Sequence, residues 1–478
     1  MAWAMDDQCG NVNSRLHVSW DKVFLMTATP LDYFIEATTG LCPQCMKSVP
    51  AKLLRKQNSV YLEKYCPTHG PQTELFEEDA DYFIRRRDFD KPGTDCRRQT
   101  ETKKGCPFDC GLCPQHAQHT CIGLIEVTNA CNLGCPMCYA ASGSGEFLPL
   151  EVIEKMMDTY IQSELEPPEI LQISGGEPTL HPNILEIITL GKRKGFKYVM
   201  LNTNGLRLAN DEAFVRKLAE FKGGFEVYLQ FDGLNPAALL LLRGKDVSSI
   251  KRKAIEHLER HRVPTTLVAT IVQGVNDGDI GAIVKFGLDT PGIRGVNFQP
   301  MAFFGRIPEG MSTKGRITLT GIIRCIEEQT DGLLSRNDFV PLPCDVDRVS
   351  LTYLHKDKKG KWIPLPREID LKQFVPAIKN TFAFSLDDAI DMKAAQGCDC
   401  FRGPFKLIDL LADAALLRSL HKRAQYLNEN LFRISITSFV DPYNFDLRSM
   451  QKECVHIITP DGRKIPFSAY NMIHRKTE

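Results

Sequence analysis

Three cysteines in one short segment limit what this chain can be. Cys131, Cys135 and Cys138 follow the apolar residues 122–127 with the spacing Cx3Cx2C. The apolar run predicts a strand, so the cysteines are expected on a loop at its carboxyl end. Four thiolates saturate a [4Fe–4S] cluster, whereas three leave one iron open for a small chelating ligand. The alternative is a structural zinc site without its fourth ligand, although structural zinc usually has four protein ligands.

A second motif follows the first by about 40 residues, with one predicted helix between them. Residues 170–174 predict another strand, which runs into Gly175, Gly176 and Glu177. Two glycines let the backbone approach a ligand closely, and a carboxylate can accept hydrogen bonds from an ammonium group. A glycine turn after a strand is common, so this motif alone is weak evidence for a ligand site. Its position about 40 residues after the cysteines strengthens that evidence.

Together the two motifs resemble the radical S-adenosylmethionine (SAM) superfamily. In that family the open iron of the cluster binds the amino and carboxylate groups of SAM, and an electron from the cluster cleaves SAM to a 5′-deoxyadenosyl radical. The resemblance implies that Cys131, Cys135 and Cys138 ligate this cluster and that Glu177 holds the methionine amino group. It also implies a low-potential electron donor as a partner.

Strands and helices are predicted to alternate between residues 121 and 325. Strand-like segments are residues 122–127, 170–174, 198–202, 224–231, 265–271 and 295–299, and helix-like segments are residues 150–161, 182–194, 211–221, 248–261 and 279–288. Such alternation implies parallel βα units and an α/β fold. Six strands are the number in the partial (β/α)6 barrel, of TIM type, that the resemblance implies for this core.

Polar residues follow several of these strands, at the end where barrel enzymes bind their ligands. Thr203 and Asn204 follow the third strand, and Gln230 and Asp232 lie at the end of the fourth. By resemblance, the first two would lie near the methionyl or ribose groups of SAM, and the second two would contact the ribose or the substrate. A simple turn at Asn204 and a helix cap at Asp232 are the alternatives.

Residues 1–104 form a first predicted unit with its own metal motif. Cys42 and Cys45, then Cys66 and His69, form two close pairs on either side of a predicted strand. Pairs with this spacing are typical of zinc-ribbon and rubredoxin-like sites. The fourth ligand would be His69 or a more distant cysteine such as Cys96. Zinc and a single iron both suit this sulfur-rich ligation, so the metal stays open.

A third group of cysteines repeats the spacing of the first. Cys106, Cys110 and Cys113 lie in a predicted connecting segment, residues 105–120, and no Gly-Gly-Glu motif accompanies them. The spacing predicts an auxiliary iron–sulfur cluster, with a zinc site as the alternative. Cys121, a histidine or a C-terminal cysteine would supply its fourth ligand.

After residue 325 the alternation fades, and residues 326–478 are predicted to form a C-terminal domain for an auxiliary cluster and the substrate. Four cysteines in this stretch would suffice for one further [4Fe–4S] cluster: Cys344, Cys398, Cys400 and Cys454. Residues 405–425 predict an amphipathic helix, whose leucines either pack in the core or line a groove for lipid.

Composition narrows the class of protein. Lysine plus arginine and aspartate plus glutamate both number 59, and this balance argues against nucleic-acid binding over a broad surface. No run of about 18 apolar residues predicts a membrane-spanning helix. The 17 cysteines, without an N-terminal signal peptide, predict metal ligation in an oxygen-sensitive cytoplasmic protein rather than disulfides.

The order of the motifs resembles one subfamily, the archaeal tetraether lipid synthases and their relatives, some of which carry the label pterin methyltransferase. The matching segments are residues 42–70, 105–116, 128–138, 175–179, 441–447 and 454–467. The resemblance implies three [4Fe–4S] clusters, one of them for SAM, and a mononuclear iron or zinc site. The chain departs from the subfamily at residues 345–349 and at Ser468, where cysteines are expected, so one auxiliary cluster can be absent.

Three functions are compatible with these features. The main prediction is radical carbon–carbon bond formation on unactivated lipid alkyl chains, with peripheral contact to a membrane. The alternative is methylation of a carbon atom in a pterin-like small molecule, and a third is an electron-transfer or iron–sulfur scaffold without catalysis. A long apolar cavity lined by leucines, such as Leu407, Leu411 and residues 239–242, would favour the lipid. A compact polar pocket would favour the pterin.

Overall fold

The computed structural model describes residues 32–221, 223–313, 316–357, 359–368, 372, 375 and 429–475. Cys398, Cys400 and the helix predicted at residues 405–425 lie outside the described residues. Within them, one small antiparallel sheet and one large mixed sheet organise the chain.

The small sheet contains four antiparallel strands in sequence order. They are β1 (Tyr33–Leu41), β2 (Ser48–Lys56), β3 (Ser59–Cys66) and β4 (Gly70–Glu77). Buried and more exposed residues alternate along β2 and β3, because successive side chains of a strand point to opposite faces. The buried face packs against helix α1 (Ala80–Arg85), where Phe83 contacts Phe76. Asp79 begins this helix by accepting a hydrogen bond from the N–H of Tyr82.

The large sheet is built around six parallel strands that pair in sequence order. They are β5 (Ile122–Glu126), β6 (Ile170–Ser174), β7 (Tyr198–Thr203), β8 (Phe225–Gln230), β9 (Thr265–Ile271) and β10 (Ile293–Pro300). Two of them, β6 and β9, have the bounds predicted from the sequence, and the others differ by one or two residues at one or both ends. The predicted α/β fold class is therefore confirmed.

Helices connect the parallel strands and cover one face of the sheet. They are α2 (Leu150–Ser163), α3 (Ile184–Arg193), α4 (Leu206–Asn210), α5 (Glu212–Leu218), α6 (Pro236–Arg243), α7 (Ser248–Arg260), α8 (Ile280–Asp289) and α9 (Leu319–Gln329). The longer ones are amphipathic; α7, for example, buries Ala254, Ile255 and Leu258 at helical spacing. These side chains form one core with strand residues such as Val199 and Leu201. The sequence analysis did not predict α4, α6 and α9.

The strands after residue 325 extend the same sheet at both edges. They are β11 (Val340–Pro341), β12 (Val349–Lys356), β13 (Trp362–Pro364), β14 (Leu431–Thr437), β15 (Val455–Ile458) and β16 (Lys464–Pro466), with short helices α10 (Leu447–Lys452) and α11 (Phe467–Ala469). Strand β14 pairs in parallel with β10, and β15 pairs in parallel with β5, so both edges of the six-strand set are covered. The boundary predicted at residue 325 therefore does not separate two sheets.

The strand order of the large sheet has two ends, β11 and β16, within the part of the chain that is described. Closure into a barrel of TIM type does not follow from this pairing and stays a prediction. Of the described helices, none combines the length and the apolar character that crossing a bilayer requires.

Lys64 joins the small sheet to the C-terminal segment. Its ammonium group donates to the carbonyl oxygens of Leu41, Pro442 and Tyr443, each at 2.8 Å, and its side chain is almost fully buried. Burial lowers the pKa of Lys64 to about 8. The small sheet is therefore packed directly against the segment that precedes α10.

Candidate active site and metal centres

The loop from Cys131 to Cys138, here called the cysteine loop, is held in place by backbone hydrogen bonds. The N–H of Cys131 donates to the carbonyl of Gly143 at 2.8 Å. Cys138 and Arg306 exchange two backbone hydrogen bonds, at 3.0 and 2.8 Å, and the Arg306 guanidinium donates to the Cys135 carbonyl at 2.8 Å. The conformation of the loop after β5 therefore depends on a residue that follows β10.

The sulfur atoms of the cysteine loop lie beside an apolar cluster. Cys135 is buried together with Leu133 and Leu239, and the half-buried Cys131 and Cys138 contact the same cluster. The ligands of a single ion would all lie within about 4.8 Å of one another. Among the described residues, two groups of side chains meet this condition, and the three thiols of the cysteine loop belong to neither. Three thiols at wider spacing, in partly apolar surroundings, fit a cluster with one open iron.

Arg243 links the cysteine loop to the end of β8. Its guanidinium forms a bidentate ion pair with Asp232, at 2.6 and 2.7 Å, and lies 3.9 Å from the Cys135 sulfur. Burial raises the pKa of the Asp232 carboxyl, but Arg243 more than offsets this, so the pKa is lowered. Asp232 also accepts from the Thr270 N–H and the Gln230 amide. Both oxygens of Asp232 are engaged and the residue has no exposed surface, so its described contacts hold Arg243 in place. Contact of Asp232 with the ribose or the substrate stays a prediction.

Gly175 and Gly176 bring the second motif against the start of the cysteine loop. The N–H of Gly176 donates to the Thr128 carbonyl and that of Glu177 to the Ala130 carbonyl, both at 2.8 Å. Gly175 has a φ of 133°, and a Cβ atom on Gly176 would overlap the Ala130 oxygen. The sequence analysis expected these glycines to admit a ligand. The structure shows that they admit the neighbouring loop, since only glycine leaves enough room there.

Glu177 is buried at the centre of this contact. Its Oε1 accepts from the N–H and hydroxyl of Thr179, at 3.0 and 2.5 Å, and from the Thr203 hydroxyl at 2.7 Å. Its Oε2 accepts from the N–H of Asn204 at 2.7 Å. Because a carboxylate offers about four acceptor positions, Oε2 keeps capacity for an ammonium group. The arrangement fits the amino group of SAM, with Thr203 and Asn204 orienting the carboxylate.

Lys251 was not predicted as a site residue, yet it joins two of the predicted positions. Its ammonium group donates to the carbonyl oxygens of Asn204 and Gln230, both at 2.6 Å, and the side chain is fully buried. Burial lowers the pKa of Lys251 to about 8. One signal for it exists in the sequence: Lys251 precedes Ala254 and Ile255 by three and four residues, on the apolar face of α7.

One side chain from each of the six parallel strands lies at the carboxyl end, on the face opposite the helices. These six side chains, here called the polar ring, are Glu126, Ser174, Asn202, Gln230, Thr270 and Gln299. Neighbours along the strands, such as Leu201, belong to the core under the helices, because side chains alternate between the two faces. The Asn202 amide donates to the Ser174 hydroxyl at 3.1 Å, which lies 3.2 Å from the hydroxyl of Tyr139. The polar ring therefore begins beside the cysteine loop.

The four ligand candidates of the small sheet come together. The Sγ atoms of Cys45 and Cys66 are 3.8 Å apart, and Nδ1 of His69 is 3.5 Å from the Sγ atoms of Cys42 and Cys66. A tetrahedral ion with metal–sulfur bonds of about 2.3 Å would separate two sulfur ligands by about 3.8 Å, so these side chains fit one ion. Cys96, the distant cysteine considered as an alternative to His69, is not part of this group.

Comparison with known proteins relates these sites to a family. The family model described as the radical SAM superfamily matches residues 125–287, and the model described as the HMPTM N-terminal zinc ribbon domain matches residues 34–78. The chain is 35% identical over 483 aligned residues to 7,8-dihydro-6-hydroxymethylpterin dimethyltransferase of Methanocaldococcus jannaschii, with 92% of this chain and 94% of the relative covered. The chain belongs to this family of radical SAM enzymes.

Two further likenesses cover less of this radical SAM enzyme. GTP 3′,8-cyclase of Alkaliphilus oremlandii is 28% identical over 185 residues, which are 37% of this chain and 56% of the relative. The crystal structure of Streptococcus suis SuiB bound to precursor peptide SuiA has a TM-score of 0.38 and 18% identity, and covers 45% of this chain and 46% of that one. Membership of the superfamily implies a [4Fe–4S] cluster and SAM as cofactors.

Asp109 shapes a second loop of this radical SAM enzyme, which carries Cys106, Cys110 and Cys113 and is here called the auxiliary loop. Oδ2 of Asp109 accepts from the N–H groups of residues 103–105, at 2.6 to 2.7 Å. Cys110 and Cys113 are buried, and Cys106 is half-buried. The loop thus places two of the three thiols of the predicted auxiliary cluster in the protein interior and the third at its edge.

Glu453 and Ser468, from the C-terminal segment, lie beside the auxiliary loop. The Ser468 hydroxyl and N–H donate to Oε1 of Glu453, at 2.8 and 3.1 Å. The next residue, Ala469, packs in the same apolar cluster as Cys106 and Cys110. Burial raises the pKa of the Cys106 thiol to about 12, and the nearby charge of Glu453 contributes to this shift. Burial also raises the pKa of the Glu453 carboxyl to about 7.

Cys121, Cys344 and Cys454 form another buried group in this radical SAM enzyme. Their sulfur atoms all lie within 4.8 Å of one another, and those of Cys344 and Cys454 are 3.9 Å apart. Cys121, one candidate for the fourth ligand of the auxiliary loop, therefore lies in a different group. Cys398 and Cys400, which the sequence analysis combined with Cys344 and Cys454, lie outside the described residues.

Proposed function

We propose that this radical SAM enzyme methylates a carbon atom of a reduced pterin, 7,8-dihydro-6-hydroxymethylpterin or a close analogue. The observation that carries the proposal is the 35% identity to the pterin dimethyltransferase over 92% of this chain. The likeness to GTP 3′,8-cyclase covers 37% of the chain and supports only shared radical SAM chemistry. Similarity along nearly the whole chain supports a shared substrate class.

The polar ring supports a heterocyclic substrate. A pterin carries ring nitrogens, an oxo group and an amino group, which can pair with amide and hydroxyl side chains such as Asn202, Gln230 and Thr270. An alkyl chain would pair with none of them, and a buried polar group that loses its partner costs about 1–3 kcal/mol. The ring therefore favours the pterin over the lipid that was the main prediction from the sequence.

The leucines predicted to line a lipid cavity do not share one face of α6. Leu239 and Leu242 are buried, and Leu239 packs against the cysteine loop. Leu240 and Leu241 are 57% and 56% exposed. These four residues therefore give no continuous apolar lining, and they lend no support to the lipid alternative.

The residues of the site have separable tasks in the proposed reaction. When bound, the cluster and one SAM molecule would supply radical chemistry at an unactivated carbon, and a further one-carbon donor, such as a second SAM molecule, would supply the methyl group. Glu177 would hold the amino group of SAM through Oε2, because Thr203 and its neighbours already engage Oε1. Arg243, fixed by Asp232, keeps a positive charge 3.9 Å from the Cys135 sulfur.

The test is anaerobic reconstitution with iron and sulfide, followed by incubation with SAM, a reductant and 7,8-dihydro-6-hydroxymethylpterin. Mass spectrometry should show a pterin heavier by one or two methylene units. A parallel incubation with a lipid extract should yield no coupled alkyl chains. Coupled chains without any pterin product would overturn the proposal.

A matched pair of variants tests the polar ring. Thr270→Val keeps the shape of the side chain and removes its hydroxyl, so the KM for the pterin should rise while SAM binding stays unchanged. Thr189→Val makes the same change at an exposed position of α3 and should alter neither quantity. Equal pterin KM values for the two variants would remove Thr270 from the substrate site.

A further inference from the structure

We propose that the auxiliary loop holds an iron–sulfur cluster whose fourth protein ligand is the carboxylate of Glu453. Cys106, Cys110 and Cys113 supply three thiolates at cluster spacing, and a fully protein-ligated [4Fe–4S] cluster requires a fourth ligand. The proposal does not depend on the pterin as substrate, because it concerns the metal content of a separate loop.

Other candidates for the fourth ligand are engaged elsewhere in the described part of the chain. Cys121 lies with Cys344 and Cys454, as shown above. His116, which follows the auxiliary loop, lies with its Nε2 atom 3.1 Å from Nε2 of His456, within hydrogen-bond distance. Among the described residues, Cys121, Cys454 and His116 are therefore engaged away from the auxiliary loop, and Cys398 and Cys400 lie outside the described residues.

Glu453 is oriented for a ligand on one of its two oxygens. Oε1 accepts the two shorter hydrogen bonds from Ser468, whereas Oε2 accepts only a longer one from the same N–H, at 3.2 Å. Ser468 is itself fixed, since its hydroxyl oxygen accepts from the Val440 N–H at 2.9 Å. Oε2 thus keeps acceptor capacity in a side chain whose direction is set by its neighbours.

Glu453 is also buried without a direct ion pair in the described chain, and the charge of Arg348 acts on it from beyond ion-pair distance. Glu453 is 4% exposed, and no lysine, arginine or histidine among the described residues forms an ion pair with it. Asp345 lies near it, is 3% exposed, and its Oδ1 has no hydrogen-bond partner in the described chain. Buried charges in proteins are normally paired or coordinate a metal. Iron bound at the auxiliary loop would give the Glu453 carboxylate a direct positive partner.

The spacing of the donors indicates a cluster rather than a single ion. The two described groups whose donor atoms lie within 4.8 Å of one another do not include Cys106, Cys110, Cys113 or Glu453. A single tetrahedral ion needs its ligands closer together, with bonds of about 2.0–2.3 Å to one centre. Four irons bridged by sulfide reach donors that are farther apart.

The test uses the full chain with Cys131, Cys135 and Cys138 replaced by alanine, so that the cluster of the cysteine loop does not contribute. After reconstitution with 57Fe and sulfide, Mössbauer spectra with and without the further replacement of the auxiliary cysteines isolate the signal of this loop. About one iron in four should show the larger isomer shift of oxygen ligation. Four irons with thiolate-type shifts, or zinc in place of iron, would overturn the proposal.

Two substitutions at the same position then separate ligation from folding. Glu453→Cys should convert the distinct iron to thiolate type without changing total iron. Glu453→Gln should lower iron by about one per cluster and produce the electron paramagnetic resonance signal of a three-iron cluster. Glu226→Gln, which alters another buried glutamate in β8, should leave all spectra unchanged. Unchanged iron content and spectra in Glu453→Gln would overturn the proposal. If that variant does not fold, the spectrum of the protein that retains Glu453 and the spectrum of Glu453→Cys decide the question.

Discussion

The cysteine loop and the auxiliary loop share the spacing Cx3Cx2C but differ in the charges beside their sulfur atoms. The cysteine loop has a buried cation, Arg243, 3.9 Å from Cys135, and a second buried cation, Lys251, behind it. The auxiliary loop has a buried carboxylate, Glu453, whose charge acts on Cys106 and Cys110. Cysteine spacing alone therefore does not distinguish the two sites, whereas the buried arginine beside Cys135 does.

The two loops also differ in how far their cysteines are accessible to a ligand. Two cysteines of the cysteine loop are half-buried, and Oε2 of Glu177 keeps capacity for a ligand beside them. In the auxiliary loop, two cysteines are buried and the C-terminal helix α11 lies against it. An open site suits a cluster that binds a reactant, and a closed site suits a cluster that only stores or passes electrons.

The largest expected effect comes from removing the thiols of the cysteine loop. Replacing Cys131, Cys135 and Cys138 by alanine should abolish reductive formation of 5′-deoxyadenosine, because the open iron is lost, while the iron of the other sites remains. Cys325→Ala, a buried cysteine on α9, serves as the control and should retain product. Undiminished 5′-deoxyadenosine in the triple variant would mean that the cysteine loop does not hold the cluster that cleaves SAM.

A nearly complete loss is also expected from Gly176→Ala. The added Cβ atom would overlap the backbone oxygen of Ala130, so the cysteine loop must shift and cluster assembly should fail. Gly134→Ala lies inside the same loop with no atom near its Cβ position, and it should assemble a normal amount of cluster. The measurement is iron and sulfide per chain, and equal values for both variants would contradict the packing argument.

The parallel strands were predictable from the sequence because their residues are apolar and buried on both faces, as in β6, all of whose residues are buried. The addition of β14 and β15 to this sheet was not predictable, because strand pairing across more than a hundred residues leaves no local pattern in the sequence. The cysteine motifs identified their loops by spacing. The ion pair between Asp232 and Arg243 was missed, since a charge at a helix end usually lies in solvent.

Breaking that ion pair should have a large effect on stability. Arg243→Gln leaves the Asp232 carboxylate buried without its partner, and such losses cost about 3–5 kcal/mol in the free energy of unfolding. The double variant with Asp232→Asn should recover part of this loss, because no uncompensated charge remains. Chemical denaturation of the four proteins in the cycle gives the coupling energy, and simple additivity would show that the pair is not coupled.

A smaller effect is expected at Glu177. Glu177→Gln keeps the size of the side chain but removes the charge that would hold the SAM amino group. Hydrogen bonds to charged groups contribute about 1.5–3 kcal/mol, so SAM should bind roughly 10- to 100-fold more weakly to the reconstituted enzyme. Glu151→Gln, on the exposed surface of α2, should bind SAM normally. Calorimetric titration measures both, and equal affinities would exclude Glu177 from the SAM site.

A final effect, similar in size to the one at Glu177, sharpens the contrast in charge, because a buried cation and a buried anion respond to pH in opposite directions. Lys251 has a pKa of about 8 in the folded chain, against an ordinary value of 10.5. Between these values the unfolded chain keeps a proton that the folded chain has released, so the free energy of unfolding rises with pH from about 8 to 10.5. Below pH 8 both states are protonated, and this residue adds no pH dependence.

Over that window the gain should approach about 3 kcal/mol, since one pKa unit corresponds to about 1.4 kcal/mol. Lys251→Met should lose this gain, although it is also less stable at every pH because the carbonyls of Asn204 and Gln230 lose their donor. Lys245→Met, at an exposed position, should keep the full gain. Denaturation of the metal-free proteins at pH 8 and pH 10 measures the difference. The same pH dependence in the unaltered chain and in Lys251→Met would mean that the lysine beside the cysteine loop stays charged in the folded protein.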